Sequence, residues 1–262
     1  MRIDLHNHTF LCNHATGSIG AYIEKAIELG IDIYGFSCHA PMDFDPKYRM
    51  GLADLGKYCE MITCAKEKYK DKIEILLGLE VDFINGKRDL IEASVLECPS
   101  DYLIGSVHFL DDWGFDNPEF MGEYAKRDLE ACWINYLNAI EEMAKSKLFQ
   151  IVGHLDLLKV FGHKPTKTIS PHLQKTLQAI KDAQMVLEIN AAGLRKPIKE
   201  QYPSLEILKY AKKIGIPITF GSDAHDVSHV GFGYEDCAKI AKIAGYNEAI
   251  FFRNKIPHRT SF

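Results

Sequence analysis

Short β-rich segments alternate along this chain with longer stretches of helical period, and that alternation restricts the fold more than any other feature. Residues 213–225, "KIGIPITFGSDAH", show the unit. A helix ends near Gly215, Pro217 opens a strand, and the strand closes on polar residues. In the helix before it, Leu205, Leu208 and Ala211 recur three apart, a spacing of a helix packed by one face on a sheet. The same reading predicts strands at Arg2–His6, Ile33–Ser37, Ile73–Phe83, Tyr102–Phe109, Gln150–His154, Val186–Asn190 and Pro217–Ser222, with a weaker eighth at Ala249–Phe252. Helices are predicted at Ile19–Leu29, Ala53–Tyr69, Glu119–Lys145, Pro171–Ala183, Ser204–Ile214 and Tyr234–Ala244. Strands that alternate with helices in this way form a parallel sheet or barrel with helices outside. The most loop-like stretches, residues 111–120 and 195–204, each follow a strand, where the loops of a (β/α) barrel build an active site.

The 262 residues suffice for one large α/β domain, and no repeat, low-complexity run or linker divides them, so a single domain over 1–262 is expected. Net charge is −5, and the lysines and arginines are dispersed, which argues against a nucleic-acid partner. No apolar run approaches a membrane span, and the start lacks a basic region followed by a hydrophobic one. A cytoplasmic protein with no membrane partner is therefore expected. Seven cysteines without zinc-ribbon spacing read as free thiols in a reducing compartment. Neither a heptad nor an apolar stripe indicates an oligomeric state.

Histidines gather where the predicted strands end. His6 and His8 close the first, His39 follows the second in "GFSCHAP", and His108, His154 and His225 stand in "IGSVHF", "IVGHLD" and "GSDAH". Six of the eleven histidines thus fall on one edge of the expected barrel. Glu80 in "LLGLEVDF" and Asp223 in "FGSDAH" occupy equivalent positions, and His14 lies just downstream of the first pair. Imidazoles converging with carboxylates suit transition metals rather than Ca or Mg, and nine such groups exceed the needs of one tetrahedral ion. Two or three divalent ions sharing a carboxylate are expected, with Zn, Mn and Fe all compatible.

The ordered set "DLHNHT", "CHAP", "GLEVDF", "GSVHF", "VGHLDL" and "GSDAH" resembles the polymerase and histidinol phosphatase (PHP) superfamily of metal-dependent phosphoesterases, over nearly the whole span from Asp4 to His225. "GSVHFLDDWGFD", "VGHLDLLKVFG" and "LEINAAGLRKP" resemble its histidinol-phosphatase branch. The resemblance implies a distorted (β/α)7 TIM-like barrel. It also implies the ligand set His6, His8, His14, His39, Glu80, His108, His154, Asp223 and His225. Position by position, one metal would be held by His6, His8, Glu80 and Asp223, a second by His14, His39 and His154, and a third by Glu80, His108 and His225.

The activity so implied is hydrolysis of L-histidinol phosphate, a step of histidine biosynthesis, by in-line attack of a metal-bridging hydroxide. No serine or cysteine is then needed as a nucleophile. Glu80, Asp223, His225 and Arg195 are the expected catalytic residues, with Arg195 and Lys159 as phosphate contacts because their cations could meet the phosphate oxygens. Asp82, Asp156 and Asp226 flank ligands and are expected to orient imidazoles. His229 stands near enough to help protonate the leaving group. Asp111, Asp112, Trp113, Phe115 and Glu188 are candidates for contacts to the alcohol. The alternatives are a PHP phosphoesterase for another ester (nucleotide, sugar phosphate or phosphotyrosine), a non-catalytic metal-binding domain, and an amidohydrolase-type deaminase. The last usually needs a mid-chain lysine or glutamate ligand, and no strand here ends in lysine.

Overall fold

The computed structural model describes residues 1–165 and 167–262. Seven parallel strands follow one another around a barrel: β1 (Ile3–Asp4), β2 (Ile33–Phe36), β3 (Glu74–Asp82), β4 (Tyr102–Ser106), then, after a small antiparallel hairpin of β5 (Phe109–Leu110) and β6 (Trp113–Gly114), β7 (Ile151–Val152), β8 (Val186–Asn190) and β9 (Ile218–Gly221). Beyond the ladder, the first and last strands are stitched by backbone bonds from Leu5 N to Phe220 O (2.9 Å), Asp223 N to His6 O (2.8 Å) and His8 N to Ala224 O (2.9 Å). The sheet therefore meets itself in a seven-stranded α/β barrel, as expected. Strand residues are apolar on both faces because the interior fills one side and helices cover the other.

The surrounding helices are α1 (Ile19–Glu28), α2 (Leu55–Tyr69), the short α3 (Ala93–Glu97), α4 (Leu129–Ser146), α5 (Ser170–Asp182), the one-turn α6 (Ala192–Arg195), α7 (Leu205–Ile214) and α8 (Tyr234–Ile243). The helix expected at Glu119–Lys145 divides in two. Residues Pro118–Lys126 form a 3₁₀ segment, and Asp128 restarts the chain as an N-cap, its carboxylate accepting from Glu130 N (2.9 Å) and Ala131 N (3.2 Å). The weak eighth strand exists as β10 (Glu248–Arg253), but it pairs antiparallel with β11 (Ile256–Ser261) outside the barrel. With β1 bonded to β9, no open edge remains to receive it.

The carboxyl ends of the strands all open on one face. β1 and β7 are only two residues long, so the chain leaves the ladder early there and turns its histidines over the barrel mouth. Asp223 takes a left-handed backbone conformation (φ 54°) two residues after β9, which aspartate tolerates better than most residues.

Candidate metal centre

Glu80, the seventh residue of β3, is the hub. It is almost fully buried, yet imidazoles approach it from three other strand ends and from the loop after β2. Oε2 lies 2.9 Å from His39 Nδ1, 3.3 Å from His6 Nε2 and 3.6 Å from His8 Nε2; Oε1 lies 2.9 Å from His154 Nε2 and 3.6 Å from His108 Nε2. Backbone pairing sets part of this arrangement, because Glu80 N donates to Cys38 O and Ala40 N donates to Glu80 O, which places His39 beside the carboxylate. Asp223 Oδ1 completes the hub 3.2 Å from His8 Nε2 and 3.4 Å from His225 Nδ1.

All nine side chains singled out in the sequence thus come to one place. His8 stacks on His225 (ring centroids 3.9 Å apart) and lies 4.3 Å from His39, while His14 lies 4.6 Å from His225 and 5.2 Å from His39. On the other side His108 and His154 are 4.8 Å apart. This grouping corrects the partition implied by the resemblance: His154 belongs with His108 and Glu80, and His225 with His14 and His39. Linear order could not tell them apart, since both close a strand, and only the order of strands around the barrel does.

The donor chemistry fits a metal cluster. His6 Nε2, both ring nitrogens of His8, Glu80 Oε2, His154 Nδ1 and His225 Nε2 are buried without a hydrogen-bond partner, although several sit within 4 Å of one another. Buried polar atoms left unpaired cost about 1–3 kcal/mol each, so a set gathered around one carboxylate wants a cation. Burial alone would raise the Glu80 carboxyl, but His39, His6 and His108 hold it well below the usual carboxylate range. Burial, with His39 beside it, lowers His14 to about 4. Three residue groups could each hold an ion: His6, His8 and Glu80 with Asp223 alongside, Glu80 with His108 and His154, and His8 with His39 and His225, beside which the His14 ring lies.

Hydrogen bonds behind the rings fix their aim. Asp82 takes His108 Nδ1 at 2.6 Å, as expected, and is itself gripped by the buried Arg49 (2.7 Å). Glu188 Oε1 takes His6 Nδ1 at 2.7 Å while its Oε2 accepts from His154 N at 2.7 Å, so one carboxylate steadies two ligands. Glu188 therefore does not contact an alcohol as envisaged. Its signal was a glutamate inside the apolar run "VLEIN"; Arg49, in the loop after β2, carried none.

Other expectations need correction. Asp156 meets Lys159 Nζ (3.0 Å) and Ser204 N (2.9 Å), and Asp226 accepts from Thr16 and Ser228, so neither aspartate orients a ring. Lys159 is buried, its ammonium shared among Asp156, Glu200 (3.1 Å) and Gln201 O (2.9 Å). Three acceptors use its three N–H donors and leave none for phosphate. Trp113 and Phe115 are packed into the core with Tyr124 and Tyr136, while Asp111 and Asp112 are exposed. Arg195 lies against the centre: Nη2 donates to Asp223 O (2.8 Å), and Nη1 is buried with no partner.

The PHP domain family model matches residues 4–192, and a PHP-associated model matches residues 205–239. The chain belongs to the PHP domain family. Among relatives of this PHP domain, a Deinococcus radiodurans protein named "Probable histidinol-phosphatase" is 38% identical over 256 residues, which span 97% of each chain. The histidinol-phosphatase of Bacillus subtilis is 31% identical, covering 88% of this PHP protein and 96% of that one. The crystal structure of Lactococcus lactis histidinol phosphate phosphatase, complexed with Zn, L-histidinol and phosphate, matches the barrel with a TM-score of 0.85 over 98% of both chains at 24% identity.

Proposed function

We propose that this PHP protein is a histidinol-phosphatase that hydrolyses L-histidinol phosphate to L-histidinol and phosphate in histidine biosynthesis. The observation that carries the reading is the convergence of nine His and carboxylate side chains around Glu80, with buried ring nitrogens unpartnered. Relatives that carry the histidinol-phosphatase name and match nearly end to end support the substrate.

Two or three divalent ions of the Zn, Mn or Fe type would be held by the three groups described above, and zinc in the Lactococcus lactis protein favours that metal. Such ions supply an activated water and neutralise the phosphoryl oxygens when bound. The chain's own residues then have separable tasks. Glu80 and Asp223 contribute the negative charge that balances the cations. Arg195, anchored through Nη2 to the Asp223 carbonyl, points its free Nη1 as a fixed donor for a phosphate oxygen. Burial and the neighbouring Arg195 lower His229 below its ordinary value, which disfavours the protonated ring that would have to supply the leaving group's proton. We assign the whole chain to one catalytic domain acting in the cytoplasm on a small molecule. Among the described residues no helix is long and apolar enough to cross a membrane.

The test is phosphate release from L-histidinol phosphate beside an aryl phosphate, on protein whose metal content is measured in the same batch. A kcat/KM at least about a hundredfold higher for histidinol phosphate, with two or three transition metals per chain, is expected. Equal and slow rates on both esters would reject the substrate while leaving the phosphoesterase.

A further inference from the structure

On the outer layer, away from the metal centre, the Sγ atoms of Cys59 and Cys98 lie 3.1 Å apart. They come from segments far apart in sequence: Cys59 from the first half of α2, and Cys98 from the residue that ends α3, four positions before β4 begins. No disulfide is present, and Cys59 is half-buried whereas Cys98 is buried. The two segments are held in register independently of the sulfurs. Lys66 on α2 reaches Asp101 Oδ2 at 2.7 Å, Asp101 Oδ2 accepts from Leu77 N of β3 at 2.9 Å, and Lys255 Nζ donates to Leu96 O at 3.3 Å.

We propose that Cys59 and Cys98 are a modification site, a thiol pair that a peroxide converts reversibly into a disulfide tying α2 to the segment entering β4. A disulfide requires S–S of about 2.05 Å, so the sulfurs need to close by only about 1 Å. In the first step the Cys59 thiolate attacks a peroxide oxygen; the O–O bond breaks, hydroxide leaves, and sulfur becomes a sulfenic acid. In the second, Cys98 sulfur attacks Cys59 sulfur, the S–O bond breaks, and water departs with the proton released by Cys98. Two electrons pass from the sulfur pair to the peroxide. The hydrogen bond from Cys98 lowers the Cys59 thiol below its ordinary value, whereas the same contact and burial push Cys98 up, which makes Cys59 the attacking partner.

The other cysteines do not compete for this role. Cys64 is exposed and alone, and Cys132 and Cys237 are buried without a sulfur neighbour among the described contacts. Cys12 and Cys38 approach each other but are buried against His8, at the floor of the metal centre. Cys98 lies toward the amino ends of the strands, opposite the face that carries Glu80, so the tie should leave turnover within about twofold of the reduced enzyme.

The experiment treats the metal-loaded full chain with hydrogen peroxide, alkylates the remaining thiols, and maps peptides without reduction. The expected result is a linked pair containing Cys59 and Cys98 that dithiothreitol separates, with Tm raised by about 5 °C or more because the bond closes a loop of roughly forty residues in the unfolded chain. Cys59→Ser and Cys98→Ser should each abolish both the link and the rise in Tm, and Cys64→Ser should abolish neither. Peptides in which Cys59 and Cys98 are unlinked after treatment, whether alkylated or singly oxidised, would overturn the proposal. So would a link from either to another cysteine. The wild-type map decides the matter even if a serine variant fails to fold, and neither readout depends on the substrate.

Discussion

Glu188 carries more than its position suggests, because its two carboxylate oxygens hold the His6 ring and the His154 main chain at the same time. Glu188→Gln keeps the shape but removes the charge that supports both ligands. Metal affinity is expected to fall about 10–100-fold, with turnover restored by excess metal. Titration against a competing chelator measures this, and unchanged affinity would show that His6 is aimed by packing alone. His154→Ala should lose metal and nearly all turnover. Arg195→Ala should instead raise KM for phosphate esters with metal content intact, since Nη1 is the free donor and Nη2 only anchors it. Equal KM values for wild type and variant would dismiss the phosphate contact.

At the scale of elements, the centre depends on how α2 supports the strands beside it. The buried Tyr58 hydroxyl donates to Gly78 O of β3 (2.8 Å) and accepts from Cys38 N (3.3 Å), next to His39. Tyr58→Phe leaves two buried backbone groups without that partner and should cost about 1–3 kcal/mol, lowering Tm by several degrees in a thermal melt. Gly78 itself lies under the Tyr102 ring, and a Cβ there would collide with it. Gly78→Ala should therefore destabilise the barrel by more than Tyr58→Phe does, because overpacking a closed barrel displaces a whole aromatic ring. The two melts, run side by side, check the order.

Across the whole molecule, the centre concentrates ionisable groups that only a bound cation reconciles. Burial opposes charge on His8 and His108, but Asp223 and neighbouring groups raise the first to about 9, and Asp82 raises the second to about 10. Because these values stand above pH 7.5, both rings carry a proton there in the metal-free protein, and ligation must expel it. Against burial, Glu188 and Glu80 hold His6 well above its ordinary value too, so metal binding at pH 7.5 should release at least two protons per chain, read by calorimetry in two buffers of different ionisation enthalpy. Release of none would mean the rings are already neutral. Chelation should likewise lower Tm by more than about 5 °C, since ions that bind only the folded barrel stabilise it.

Local chemistry made much of this protein legible before any tertiary contact was known. Gly215, Pro217 and the apolar periods marked strands and helices within a few residues. Polar residues at strand ends identified the functional face, since in a parallel barrel every strand's carboxyl end lies on the same side. The tertiary structure decided what depends on neighbours around the ring. It exchanged His154 and His225 between ligand groups, turned Glu188 from a substrate candidate into a ligand support, and occupied Lys159 with Asp156 and Glu200. It also moved the eighth strand outside the barrel and brought Cys59 against Cys98. Sequence patterns report which face of an element is buried and where it ends. Which side chains then meet is set by closure of the sheet, a long-range property that no local period encodes.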